Sequence, residues 1–255
     1  MEKYCNFISL GYFCSVATEL EKLGFRSASY PFDWTISNFE GVIDAINSNF
    51  EDFLDYNLLR QSNTNKSHYF NVKYRIWFYH DFDSYLSLRR QLPNVKKKYN
   101  RRIERFYNSI SEPTLFFRYI SDEICDENNK SVELDFIEKN YHDILSLLKS
   151  YNSKNEIVFI ANSSVKSDII HIYNVEKDEN DVVSRKPIEN NNDLLNFLES
   201  LDYSLRDENL QYYSERQNNL QNNVNNSFYS RLKNYIKHNY SKEYIHNLTI
   251  DSSIK

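Results

Sequence analysis

The sequence predicts an α/β protein, with a mainly parallel sheet flanked by helices on both faces and a helical C-terminal extension. The clearest evidence is a strand–helix–strand succession. Residues 114–120 and 156–161 are apolar runs, and residues 132–148 between them place apolar side chains on one side of a helix. Such a unit implies a parallel pair of strands with a right-handed crossover. We expect a further strand over 169–175 and a further helix over 194–201.

The N-terminal region predicts a strand followed by two helices. Residues 4–10 form a short apolar run typical of a buried strand. The apolar residues after it recur at the three- and four-residue spacing of a helix: Phe13, Val16, Ala17, Leu20 and Leu23. Gly24 is placed to end this helix. The segment Ser37-Asn38-Phe39-Glu40 matches a capping box, which predicts the start of the second helix.

The middle of the chain predicts a loop, an extended segment and a long helix. Residues 59–68 are polar and typical of a loop, whereas residues 69–78 look extended and bring His80 to the end of that segment. A helical pattern covers 84–110 and contains Pro93. We expect Pro93 to break or kink this helix, because proline lacks the backbone N–H and its ring crowds the preceding turn.

The composition changes near residue 202. We therefore predict an α/β domain over residues 1–201 and a C-terminal helical extension over 202–255. Within the extension, residues 210–226 are rich in Asn, Gln and Tyr, and residues 228–248 have the pattern of a helix with basic residues among aromatic ones.

Composition and charge exclude several classes of function. Only 3 glycines are present among 255 residues, too few for a glycine-rich phosphate loop or a dinucleotide-binding fingerprint. The net charge of −5 argues against nucleic acid as a partner. The 3 cysteines are too few and too scattered for a disulfide scaffold or a zinc site. We therefore expect no cofactor and no metal. The substrate that we expect for the functions considered below is a peptide or a small molecule.

The N-terminal apolar stretch is too short for a signal peptide, and no run of 18 apolar residues occurs in the sequence. The sequence thus predicts a cytoplasmic protein with no membrane span, in a compartment that keeps cysteines reduced.

Cys14 is the candidate nucleophile. Gly11 permits a tight turn after the first strand, so that residue 14 falls in the first turn of the following helix. There the helix dipole is expected to lower the pKa of a thiol, because the thiolate gains from the positive end of the helix. Ligands of open α/β sheets also gather at the carboxyl ends of strands. The alternative is that Cys14 packs as a small apolar residue.

His80 is the candidate base, because it alone stands where an apolar extended segment gives way to an acidic residue, Asp81. A neighbouring carboxylate fixes the orientation of an imidazole and raises its basicity. Asp33 and Asp81 are the two candidates for that acid. Adjacent side chains of an extended segment point apart, so Asp81 need not be the partner of His80. The alternatives are a packing role for His80 and a capping role for Asp33.

Three further residues are candidates for contact with the substrate: Arg118, Trp34 and Ser9. Arg118 lies within a predicted strand, where an unpaired charge is costly to bury. Its partner is either an anionic group of the substrate or, in a structural bond, Asp33 or Glu123.

Five segments of the chain together resemble one known family. They are Ser9-Leu10-Gly11-x-x-Cys14, Arg26-x-x-Ser29-Tyr30-Pro31-Phe32-Asp33-Trp34, His80-Asp81-Phe82, Tyr99-x-Arg101-Arg102-Ile103-x-Arg105-Phe106 and Leu115-Phe116-Phe117-Arg118. This set is similar to the DUF1796 family, whose members are described as papain-like cysteine peptidases, over roughly residues 5–200. The resemblance implies that Cys14 is a nucleophile, that His80 is its base, and that Asp33 or Asp81 orients the imidazole.

Three functions remain open from the sequence. The first is a cysteine hydrolase that acts on amide or thioester-like bonds through an acyl-enzyme. The second is a transferase that handles a sugar or nucleotide on a doubly wound sheet, with Arg118 and the basic helix holding an anion. The third is a non-catalytic module that binds another protein through its tyrosine-rich surface.

Overall fold

The computed structural model describes residues 3–26, 28–178 and 181–203. Its central sheet has four parallel strands in the order β2-β7-β8-β9, which confirms the mainly parallel sheet. These strands are β2 (Asn6–Ser9), β7 (Thr114–Ile120), β8 (Glu156–Asn162) and β9 (Ile172–Val175). Two short strands, β1 (Lys3–Tyr4) and β10 (Asp202–Tyr203), pair in parallel with each other.

Five helices cover the two faces of this sheet, as the sequence predicts. They are α1 (Cys14–Lys22), α2 (Phe39–Asn47), α3 (Leu88–Ile110), α4 (Val132–Tyr151) and α5 (Asn192–Ser200). Side chains of a strand alternate between the two faces. Phe116 of β7 accordingly packs in a core with residues of α2, α3 and α4, whereas Leu115 and Phe117 pack in a second core with residues of α1 and α5.

A second, antiparallel sheet lies in the region between α1 and α3 and was not predicted. Its strands have the order β3-β6-β5-β4 and are β3 (Thr35–Ser37), β4 (Leu59–Gln61), β5 (Tyr69–Asn71) and β6 (Ile76–Phe78). The predicted loop over 59–68 therefore begins with a strand. The predicted extended segment over 69–78 is a hairpin, because the Asn71 side chain accepts the backbone N–H groups of Lys73 and Tyr74 and holds a turn.

Pro93 does not break α3, which is one helix of 23 residues. A proline costs about 3 kcal/mol in a helix interior, while full burial of one large apolar side chain gains about 1.5–3 kcal/mol. One face of α3 buries several such side chains: Leu92, Val95, Tyr99, Phe106 and Ile110. Their combined burial outweighs the missing hydrogen bond. At the start of α2, the cap is Asn38 and not Ser37, because the Asn38 side chain accepts the N–H of Gly41.

The predicted C-terminal helical extension lies outside the described residues from position 204 onward, so its helix and the boundary at residue 202 stay predictions. The last described residue, Tyr203, packs its ring edge-on against Phe7 and Phe25, at centroid distances of 5.7 and 5.5 Å. Across the three described ranges, the helices are all too short or too polar to span a lipid bilayer.

Candidate active site

Cys14 is the first residue of α1, immediately after the turn that leaves β2. Gly11 forms this turn with a φ of +85°, a conformation that favours glycine. A Cβ atom at Gly11 would collide with Ser37 Oγ and with Arg118 Nη1. The turn therefore requires glycine both for its backbone conformation and for the close approach of these two side chains. The sequence prediction that Cys14 falls in the first turn of a helix is confirmed.

Cys14 and His80 line the same pocket, which has a volume of about 190 Å³. Cys14 is half-buried, and His80 is exposed and follows β6 by two positions. The other walls of this pocket, which we call the cysteine pocket, are Phe13, Trp34, Thr35, Ile36 and Tyr79. The residue chosen as nucleophile and the residue chosen as base thus come together from two different sheets.

Trp34 packs against His80 inside the cysteine pocket. Their ring centroids are 6.3 Å apart and the rings are nearly perpendicular, at 88°. The indole N–H of Trp34 donates to Ser29 Oγ at 3.0 Å, and the Arg26 guanidinium lies 5.9 Å from the centre of the Trp34 ring. Trp34 is therefore held from two sides, and it presents a fixed surface to the imidazole.

Asp33 is fully buried and serves the segment that carries Trp34. Its carboxylate pairs with the Arg26 guanidinium and accepts the backbone N–H of Tyr30 at 2.6 Å. Burial raises the pKa of Asp33, although Arg26 and the Tyr30 N–H act in the opposite direction. These contacts tie Arg26 to the segment over residues 28–34, so the Ser29–Trp34 part of the family resemblance has a structural use.

Asp81 faces α3. Its carboxylate accepts the Tyr99 hydroxyl at 2.8 Å and pairs with Lys98, and Arg102 Nη1 lies 3.9 Å away. The Asp81 side chain is only 1% exposed. Within the described part of the chain, neither Asp33 nor Asp81 forms a hydrogen bond to His80. The role of either residue in orienting the imidazole stays a prediction.

Arg118 is fully buried, and its five N–H donors all have protein acceptors. Nε and Nη2 bind the two carboxylate oxygens of Glu133 at 2.8 Å, and the remaining bonds go to Leu10 O, Ser37 Oγ and Ser37 O. The prediction of a structural bond from Arg118 to Asp33 or Glu123 is therefore wrong, since the carboxylate that Arg118 binds is that of Glu133. Burial raises the pKa of Glu133, and the Arg118 charge opposes this shift. These bonds join β7, the end of β2, β3 and α4 behind the Gly11 turn.

Ser9 and Tyr12 also support the turn from behind. Ser9 has no exposed surface, and its hydroxyl accepts the backbone N–H of Gly11 at 3.2 Å. Tyr12 donates its hydroxyl to Glu123, which is why Glu123 does not serve Arg118. Of the three residues predicted to contact substrate, only Trp34 lines the cysteine pocket.

The electrostatic surroundings of Cys14 differ from the prediction. Burial raises the pKa of the Cys14 thiol, and the negative charge of Asp181 raises it further. The backbone N–H of Cys14 lowers it, but by less. The expected lowering by the helix dipole is thus outweighed by the loss of water around the sulfur. Burial therefore disfavours the thiolate form of Cys14 in the free protein, and a base is required to promote its formation.

No role was predicted for Tyr79, which lines the cysteine pocket beside His80. The Tyr79 ring lies 4.1 Å from that of His68, which is in a loop as predicted. Burial together with the nearby His80 lowers the pKa of His68. Side-chain alternation along β6 does not predict that two adjacent residues, Tyr79 and His80, both face the pocket. Among the residues that the structure describes, no group of His, Cys, Asp and Glu has the arrangement of a metal site.

The fold and the pocket define an α/β protein in which a cysteine at a helix N-terminus and a histidine from a second sheet face one cavity. Residues 5–162, more than half of the chain, match the family model described as "Putative papain-like cysteine peptidase (DUF1796)". The chain belongs to this family. It is also 32% identical to "Uncharacterized protein R408" of Acanthamoeba polyphaga mimivirus over 181 residues, which is 63% of this chain and 79% of the relative. No solved structure matches it.

Proposed function

We propose that this protein is a cysteine hydrolase that cleaves amide or thioester-like bonds through an acyl-enzyme. The observation that carries the proposal is the cysteine pocket, where Cys14 at the N-terminus of α1 and His80 after β6 share one cavity. Membership of the DUF1796 family supports the same chemistry. Cys14 is the nucleophile and His80 is the general base.

The reaction begins with transfer of the Cys14 Sγ proton to the imidazole of His80, because burial disfavours the thiolate form in the free protein. The sulfur attacks the carbonyl carbon, and the carbonyl oxygen takes the negative charge. The intermediate then collapses, the bond to the leaving group breaks, and His80 returns the proton to that group. A water molecule, deprotonated by His80, attacks the thioester and releases the acid and the thiol.

The N-terminus of α1 is the site that we assign to the negatively charged carbonyl oxygen of the intermediate. The N-cap residue Phe13 makes no side-chain capping bond, and the first turn contains no acidic residue. The first N–H groups of a helix lack partners within the helix, and they favour an anion. The backbone N–H groups around Phe13 to Ser15 are the donors that we assign to this task.

Trp34 takes the orienting role that the sequence assigned to an acid. It is the ring in edge-to-face contact with His80, and it is fixed by Ser29 and Arg26. Asp33 then acts as a positioning residue, through the contacts that tie Arg26 to the segment over residues 28–34.

The transferase alternative has less support, because every donor of Arg118 is occupied by protein acceptors. Two cations of the basic helix, Lys98 and Arg102, lie at the Asp81 carboxylate. These contacts occupy Arg118 and two cations of the basic helix, whereas Lys96, Lys97 and Arg101 of that helix are exposed.

The test is acylation of the full-length chain by p-nitrophenyl acetate at neutral pH. We expect a burst of p-nitrophenolate and one acetyl group on Cys14, located by peptide mass spectrometry. Cys125 is exposed and Cys5 is half-buried, so both serve as internal references. Acylation at Cys14 should be about 10²-fold faster than at Cys125, the usual gain from a positioned base.

Two variants complete this test. Cys14→Ser should lose the acetyl group at position 14 while it keeps the circular dichroism spectrum of the parent, and Cys125→Ser is the matched control that should retain the burst. Acetylation of Cys14 at no more than the rate of Cys125 would rule out an activated nucleophile.

A further inference from the structure

The outer face of the antiparallel sheet carries a row of apolar side chains next to the cysteine pocket. Ile36 of β3 pairs with Trp77 of β6, and Trp77 pairs with Phe70 of β5. Paired residues of neighbouring strands point to the same face. All three are half-buried, whereas their neighbours on the inner face, such as Ile76 and Phe78, are fully buried in the core.

This outer face is aromatic where solvent would favour polar residues. An antiparallel sheet with one face on the core commonly presents polar side chains on the other. Here the rings of Phe70 and Trp77 are 4.9 Å apart, and those of Trp77 and Tyr79 are 6.0 Å apart. Both tryptophans of the chain, Trp34 and Trp77, lie on it. Such a surface is typical of a binding site.

A second cavity of about 320 Å³ continues this face beyond the cysteine pocket. Ile36 lines both cavities. Phe13 lines the cysteine pocket, and its sequence neighbour Tyr12 lines the second cavity. Opposite Trp77 the second cavity is closed by Ile124 and Val132, near the carboxyl end of β7 and the start of α4.

The second cavity therefore has apolar walls on both sides. Ile124 is 70% exposed and Val132 is 46% exposed, two of the large apolar side chains that the described structure leaves most open to water. Covering them together with Trp77 would remove apolar surface from water, which is the usual source of affinity in such pockets.

We propose that the second cavity binds an apolar side chain of an extended polypeptide whose reacting carbonyl lies at Cys14. This inference rests on the proposed function for the position of that carbonyl. Residues two apart on an extended chain are about 6.6 Å apart and point the same way. Two lining residues of the protein have the same two-residue spacing. Trp34 lines the cysteine pocket, and Ile36, two residues further along the chain, lines both cavities.

A polypeptide fits the two cavities better than other extended ligands. Two cavities that share the lining residue Ile36 suit a chain with separate side groups better than a plain alkyl chain. The rim of the second cavity is polar and carries Asn38, Arg75 and Glu123. Their side-chain hydrogen bonds in the described structure go to Gly41, Glu40 and Tyr12, and the Asn38 amide N–H groups and the second Glu123 oxygen are not used in those bonds. The carboxylate of Glu123 and the net charge of −5 disfavour a polymer of phosphates.

The experiment uses the two tryptophans as separate reporters in full-length Cys14→Ala protein, which cannot turn over. Trp34→Phe leaves Trp77 as the reporter of the second cavity, and Trp77→Phe leaves Trp34 as the reporter of the cysteine pocket. The probe is acetyl-Leu-Ala-Leu-amide, titrated while tryptophan emission is recorded. Its controls are the same peptide with serine in place of the first or the second leucine, and octanamide.

We expect the leucine peptide to shift the emission of both reporters over the same concentration range. One of the two serine peptides should bind roughly tenfold more weakly and leave the Trp77 emission unchanged, since one apolar group in a pocket is worth about that factor. Ile124→Ser should weaken binding several-fold. Ile169→Ser is the matched control, because Ile169 is 63% exposed and lines neither cavity.

The inference is overturned if the Trp77 emission does not respond to the leucine peptide, or if Ile124→Ser and Ile169→Ser bind it equally. It is also overturned in favour of an acyl chain if octanamide alone moves the Trp77 emission. Acetylation of Cys14 is measured separately in the parent protein. Peptide binding without acetylation of Cys14 would therefore contradict the proposed hydrolase function, while it would support the second cavity as a peptide-binding site.

Discussion

At the scale of single residues, the described structure buries several charged groups in pairs of opposite charge. Arg118 and Glu133 are an example, because the guanidinium satisfies all of its donors on Glu133, Leu10 and Ser37. Removal of one member of such a pair typically costs about 3–5 kcal/mol, since the other charge is left unpaired. The arginine in the predicted strand thus signals a structural anchor behind the nucleophile turn.

Glu19 is a buried ionisable group on the same helix as Cys14. Its carboxylate has no exposed surface and accepts the backbone N–H groups of Ile188 and Glu189. Burial raises the pKa of Glu19 to about 8, although those N–H groups lower it. Because its pKa is higher in the folded protein than in the unfolded chain, Glu19 favours folding most at low pH.

This carboxyl group should make stability depend on pH. Its contribution is complete below about pH 4.5, the ordinary glutamate value, and it is lost as the pH rises through about 8. We expect the free energy of unfolding of Glu19→Gln to fall less over this range than that of the parent, by an amount of order a few kcal/mol. Urea titrations at a series of pH values measure it. Parallel curves for the two proteins would contradict the assignment.

At the scale of elements, the sequence predicts the long segments and the short strands β2 and β9, but it misses β3, β4 and the pairing that makes the antiparallel sheet. β7 and β8 are seven residues each and α4 is 20, so their patterns are long enough to recognise. The strands β3 and β6 have three residues each and depend on pairing with each other, which no local pattern reveals. Short strands of this kind are stabilised by packing, so a single sequence carries little signal for them.

Pro93 shows an element retained against its local preference. It is exposed, it lies six residues into α3, and it forgoes one backbone hydrogen bond. We expect Pro93→Ala to raise the free energy of unfolding by about 1–3 kcal/mol, because alanine restores the N–H and removes the ring clash, while the unfolded chain gains some freedom. Urea denaturation measures the change, and Asn94→Ala, an adjacent exposed position, is the control. A lower free energy of unfolding for Pro93→Ala than for the parent would show that the proline ring stabilises the folded protein at this position.

At the scale of the whole molecule, the candidate active site lies where the two sheets meet. Cys14 follows β2 of the parallel sheet, and His80 follows β6 of the antiparallel sheet. The sequence predicts that both residues belong to one site, because each stands at the end of an apolar run, and the structure places both at one cavity. The sequence does not predict the neighbours of His80, since the direction of a side chain after a strand depends on packing between elements. The Asp81 carboxylate contacts Tyr99 of α3, and the ring that contacts His80 is Trp34.

In the described structure the carboxylates of Asp33 and Asp81 bind residues other than His80, which leads to a prediction for the acylation of Cys14. His80→Gln should slow acylation by p-nitrophenyl acetate by about 10²–10⁴-fold, the usual loss of a general base. Trp34→Ala should slow it by less, while the pH at which the rate rises moves, because the imidazole loses its packing partner. Asp81→Asn should leave both the rate and its pH profile close to those of the parent, since its contacts are with Tyr99, Lys98 and Arg102.

Burst rates from pH 5 to 9 distinguish these cases, and the free energy of unfolding of each variant shows whether it is still folded. If Asp81→Asn is as slow as His80→Gln while still folded, the carboxylate and not the indole orients the base.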